Sequence, residues 1–131
     1  MIDNLAELHG AVHQYKSFLD MMEALRLQFD ETGNAALFEH LVKGPIAILE
    51  ERSGALGDCL LEPRAFLAEN PKLHSDLRFF VCLSDAFIAA YYWSAERGQL
   101  LFFAQTAAGI VMNLRAVAAE IQDFSSQQEA A

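Results

Sequence analysis

His9 and His13 stand four residues apart, the helical spacing that can present two imidazoles to one metal ion. Zinc-protease chemistry would also need a glutamate directly after the first histidine, and Gly10 occupies that place. Both histidines fall beside Lys16 and Asp20, away from the apolar residues of the same segment, and are expected as solvated flank residues. His9 follows Ala6 and His40 follows Leu37, so neither completes the Glu-x-x-His pattern of a di-iron bundle. His74-Ser75-Asp76 contains the residue types of a hydrolytic triad, but adjacent residues do not make triad geometry. No Gly-x-Ser-x-Gly elbow occurs, and Ser75 and Asp76 read as first-turn polar groups at a helix N-terminus. A glycine-rich phosphate loop and a Cys-x-x-Cys pair are also missing. No catalytic residue, metal site or cofactor is expected.

Two cysteines make no disulfide framework. Cys82, inside the run Phe79–Leu83, is expected to be a small buried core residue, and Cys59 a partly exposed loop residue.

The sharper candidates lie in the second half of the chain. Leu77, Phe79, Phe80, Leu83, Phe87 and Tyr91 form one apolar helical face, while Val81, Ile88 and Tyr92 lie on the opposite side. A helix apolar on both sides must be covered on both sides, by its own fold, a partner or a ligand. Asp85 sits between Val81 and Ile88, with Arg78 two turns earlier on nearly the same line. A carboxylate buried there without a partner is costly, so Asp85 is expected either to reach water, to pair across a subunit contact, or to touch a ligand. Tyr91-Tyr92-Trp93 and Phe102-Phe103 gather five aromatics at one end of the same hairpin. The last helix repeats the pattern. Leu100, Phe103, Ala107, Ile110, Val111, Leu114, Val117 and Ile121 make its core side, and Gln105, Gly109, Met112 and Ala116 a second side that admits a closely packed helix. Val81, Asp85, Ile88, Tyr92, Phe102, Gln105, Gly109 and Met112 are therefore the interface or pocket candidates.

The elements that carry these residues are helical throughout. Leu5, Leu8, Val12, Tyr15, Leu19 and Met22 alternate three and four apart, which predicts a helix from Asp3 to Asp30 with Asp3 or Asn4 as its cap. Gly33-Asn34 ends it and starts the next. Gly44-Pro45 predicts a kink or break in the second helix, and 54–62, with Gly54, Gly57 and Asp58, reads as a loop. A short helix follows Pro63, Asn70-Pro71 opens a long one, and Gly98 separates it from the last. Period-two alternation is absent. The fold expected is all-α: an antiparallel bundle of four major helices plus a short one. It forms one domain over 1–124, with a frayed tail over 125–131.

Composition narrows the function. The chain of 131 residues is 53% hydrophobic yet carries a net charge of −9, with nine basic residues scattered along it. Nucleic-acid and anionic-lipid binding rest on Lys and Arg against phosphate and are not expected. The charge-free stretch Gln99–Leu114 is short of the roughly twenty residues that span a bilayer, so no membrane span is expected. The acidic start Met1-Ile2-Asp3-Asn4 lacks a secretory pattern, which predicts a cytoplasmic setting. The reading that results is a small bacterial-type protein, non-enzymatic, acting as a homodimer that binds a protein partner through apolar helical faces. Regulators, chaperones, inhibitors and immunity proteins all fit that description. The alternative is a small-molecule-binding domain with an apolar pocket between the last two helices.

Overall fold

The computed structural model describes the backbone of residues 2–130 and the side chains of residues 2–127. Five helices follow one another: α1 (Leu5–Thr32), α2 (Ala35–Leu61), the single turn α3 (Ala65–Ala68), α4 (Pro71–Glu96) and α5 (Leu100–Ala130). Local chemistry places most of the boundaries. Asn4 Oδ1 accepts the Glu7 N–H at 2.8 Å, and the Glu7 carboxylate returns by accepting the Asp3 N–H, also at 2.8 Å. Gly33, at φ 66°, turns the chain out of α1 and donates its N–H to Phe29 O. Asn34 Oδ1 caps α2 through the Leu37 N–H. Gly98, at φ 65°, makes the turn into α5.

The four long helices pack in a ring, α1 beside α2 and α5, and α4 beside α2 and α5. α2 and α4 run antiparallel. Residue numbers fall along α4 as they rise along α2, from the Glu50–Tyr92 contact through Ser53–Asp85 to Gly57 beside Val81. The predicted stripe of α1 points inward: Leu8, Val12, Tyr15 and Leu19 have no exposed surface. They meet Leu49 and Leu56 of α2, Leu77 and Phe80 of α4, and Leu114 and Ile121 of α5 in one hydrophobic cluster.

The structure refines the reading of α2, of the cysteines and of α5. Of the kink or break expected at Gly44-Pro45, the break does not occur: α2 is a single helix from 35 to 61. Proline leaves the Leu41 carbonyl without its intrahelical donor, but a buried Pro45 ring and the cluster on either side of it keep the helix running. The segment 54–62 is not a loop, because α2 continues to Leu61. Ser53, Leu56 and Cys59 extend its buried face, which outweighs the roughly 1 kcal/mol that each helical glycine costs relative to alanine. The cysteines exchange roles, Cys59 being buried and Cys82 exposed. Cys82 projects from the side of α4 opposite its core residues. Lastly, α5 continues past Ser125, which is fully buried and donates to Ile121 O; the side chains of 128–131 lie outside the described residues.

Candidate functional site

Between the helices, hydroxyl groups form three short polar links. Tyr15 of α1 and Ser84 of α4 share a hydrogen bond of 2.6 Å with both residues fully buried. Burial pushes the Tyr15 phenol up to about 12; the Ser84 hydrogen bond opposes that, and the charge of Asp85 adds to it. One residue further along α4, Asp85 Oδ1 accepts a hydrogen bond from Ser53 Oγ of α2 at 2.9 Å. The Asp85 residue is exposed while Ser53 is buried, so this carboxylate stands at the rim of the α2–α4 seam and reaches water. Two turns further along α4, Tyr92 donates to Glu50 Oε2 at 2.7 Å, which raises the phenol to about 12 because the bond favours its protonated form. These links tie helices together. Ser53, Ser84 and Glu50 were not read from the sequence, although a serine at a core position, between Phe80 and Phe87, signals a buried hydroxyl that needs a partner.

The eight candidate residues divide into two groups. Val81 and Ile88 are buried in the chain's own core on the α2-facing side of α4, with Asp85 and Tyr92 at its margin. Their apolar face is covered from within. Phe102, Gln105, Gly109 and Met112 are all exposed on the outer side of α5. Beside them, α4 exposes Phe79 and Trp93, which the sequence reading assigned to the interior or to a mixed cluster. Exposure reaches 51% for Phe79, 45% for Trp93, 56% for Phe102 and 70% for Met112. The outer faces of α4 and α5 thus expose large apolar side chains among polar ones such as Arg78, Glu96, Gln105 and Asp123. Arg97 lies over the Trp93 ring, 4.3 Å from its centre, and donates to Trp93 O, which holds the indole in place.

Internal space lies elsewhere. Among all four long helices, a crevice of about 10 Å³ is lined by Phe38, Phe87, Phe103 and the Glu23–Arg26 pair, room for about one water molecule. The forked hydrogen bonds from Arg26, at 2.6 and 3.0 Å, hold the Glu23 carboxyl below its ordinary range. The larger cleft, about 310 Å³, opens at the far end of α2 among Ile2, Ala55, Asp58, Cys59, Glu62 and Arg64. Arg64 reaches Asp3 Oδ1 at 3.2 Å across its mouth. Burial, and then the neighbouring Asp58 charge, push the Cys59 thiol up, so it stays protonated and a weak nucleophile. An apolar pocket between α4 and α5, large enough for a small molecule, is not among these spaces.

His9 is half-buried with Nδ1 unpartnered, and His13 is exposed. Among the described residues, no three His, Cys, Asp or Glu side chains converge as a metal site. By length and composition alone, α5 could cross a membrane, though 39% of that stretch is buried in the bundle. No family model matches the chain, and none of the curated proteins or solved structures compared with it matches.

Proposed function

We propose that this chain is a protein–protein interaction module without chemistry of its own, a homodimer built on the outer faces of α4 and α5. The observation that carries the reading is the exposed apolar surface of Phe79, Trp93, Phe102 and Met112 on a molecule of net charge −9. Single exposed apolar residues are ordinary on soluble proteins, whereas a run of large ones along two adjoining helices marks a contact surface. Aromatic and methionine side chains are enriched at the cores of such contacts. The acidic remainder of the surface keeps the protein dispersed and disfavours indiscriminate association. A protein partner engaged by the rest of the α5 face would complete a role in regulation, chaperoning or inhibition.

Native mass spectrometry of the purified chain tests the proposal. A dimer at micromolar concentration, converted to a folded monomer by Phe102→Glu, is the expected result. A wild-type chain that remains monomeric under those conditions overturns the homodimer. A monomer carrying a bound small molecule would favour a ligand-binding domain instead, with the cleft beside Cys59 as the place to look.

A further inference from the structure

We infer that the dimer contact is an antiparallel pairing of α4 with α4 of a second copy, about a two-fold axis close to Ala86. The inference rests on the interaction-module reading above and specifies which face meets which.

The outer side of α4 carries Phe79, Cys82, Ala86, Ala89 and Trp93, all exposed. Their spacing alternates three and four, so they form one line along the helix. The arrangement is symmetric about Ala86, with a large aromatic at each end and small residues between. A two-fold axis at that point sets Phe79 against the partner's Trp93, and the small residues against one another, so the backbones can approach. Isologous contacts require this kind of self-complementarity, since one patch must fit its own copy.

Charge supports the same register. Arg78 and Glu96 are exposed on a single flank of this line, the flank nearer α2. Antiparallel pairing about Ala86 brings Arg78 of one copy within two residues, about 3 Å of helix rise, of the position opposite Glu96 in the other. Two ion pairs result, one at each end of the seam. Among the described residues, Arg78 has no carboxylate within salt-bridge distance inside its own chain, and Glu96 has only the adjacent Arg97 at 3.9 Å. Two like-charge approaches oppose the pairing: Asp85 against its copy, where the Ser53 hydrogen bond draws each carboxylate back toward its own α2, and Arg78 against the other copy's Arg97, which is held over its own Trp93 ring beside Glu96. The outer face of α5 offers no such match. Its fully exposed charges among the described side chains, Glu120 and Asp123, are both acidic, and the base on its flank, Arg115, is already paired with Asp20 of α1. Phe102, exposed on α5, which packs against α4, would close the seam from the side.

Charge reversal and cross-linking test the pairing. Arg78→Glu is expected to weaken the dimer about tenfold, and adding Glu96→Arg to restore it to within about threefold of the wild type. In a Cys82→Ala background, Ala86→Cys should oxidise to a covalent dimer in near-quantitative yield. Ala116→Cys on the outer face of α5 should give only the background of random collisions. Retained helical circular dichroism shows that each variant is folded. A native dimer that cross-links through Ala116→Cys and not Ala86→Cys, or whose charge-swapped double variant is not restored, overturns the α4 pairing and leaves the homodimer standing. A monomeric wild type overturns both. A monomer that instead binds vesicles of phosphatidylcholine would assign the face to a lipid surface.

Discussion

At the residue scale, the most constrained polar group in the molecule is the Tyr15–Ser84 pair. Each hydroxyl is cut off from water and satisfied by the other. Removing one partner leaves a buried polar group short of a bond, which costs about 1–3 kcal/mol. Ser84 can fall back on the carbonyl one turn earlier in α4, so Tyr15→Phe should lie at the low end of that range. A double-mutant cycle with Ser84→Ala, read by urea unfolding, should recover about 1 kcal/mol of coupling. Two phenols carry a pH consequence, Tyr15 through its burial and Tyr92 through its hydrogen bond to Glu50. The Tyr15 and Tyr92 phenols lie at about 12 in the folded chain against 10.0 for the ordinary group, so the native state holds those protons more tightly than the unfolded one. Their contribution to stability is complete below pH 10 and is lost as pH rises from there through 12. Tyrosinate absorbance should therefore grow together with loss of helical circular dichroism over that window. A wild-type protein whose tyrosines all ionise near 10 while it remains folded would contradict the buried assignment.

At the element scale, the glycines separate into two kinds. Gly33 and Gly98 adopt left-handed backbone at φ 66° and 65°, where a side chain is strained. Gly98→Ala should cost about 1–2 kcal/mol and lower the melting temperature. Gly54 lies inside α2, and a methyl group there meets no atom within 4 Å. Gly54→Ala should stabilise the chain by up to about 1 kcal/mol. Opposite shifts in thermal melts of these two variants are the expected result; equal shifts would mean that α2 is not helical at Gly54. This contrast also explains why the segment reads as a loop in sequence. Glycine lowers local helix propensity wherever it stands, and only the packing of Leu56 and Cys59 against the other helices reveals which glycines the fold carries along in a helix.

At the scale of the whole molecule, each apolar residue of α4 is claimed either by the bundle or by the surface. Ile88 belongs to the bundle, where it is 7% exposed between α4 and α2. Ile88→Glu would bury a charge without a partner and should abolish cooperative folding. Phe102→Glu, on the outer face, should leave thermal stability within about 0.5 kcal/mol of the parent while changing the mass in solution. A soluble, folded Ile88→Glu variant would place that side chain on a surface and reassign the faces of α4.

The helical class, a cap at Asp3 or Asn4, the cap at Asn34, the turns at Gly33 and Gly98 and the inward stripe of α1 were all legible in the sequence, while the choice of Asn4 over Asp3 came from the structure. Each depends on residues within one or two turns of one another, and a strictly periodic helix has one apolar side. The all-α bundle follows from those local rules together with short connections. The division of α4 and α5 into covered and open sides was not legible, because both helices are apolar over most of their circumference. Which arc is buried depends on where α2 and α1 dock, a matter of contacts between residues far apart in the chain. Tertiary structure alone therefore decided that Val81 and Ile88 close the core, that Cys59 and Cys82 exchange places, and that Phe79, Trp93, Phe102 and Met112 remain in water.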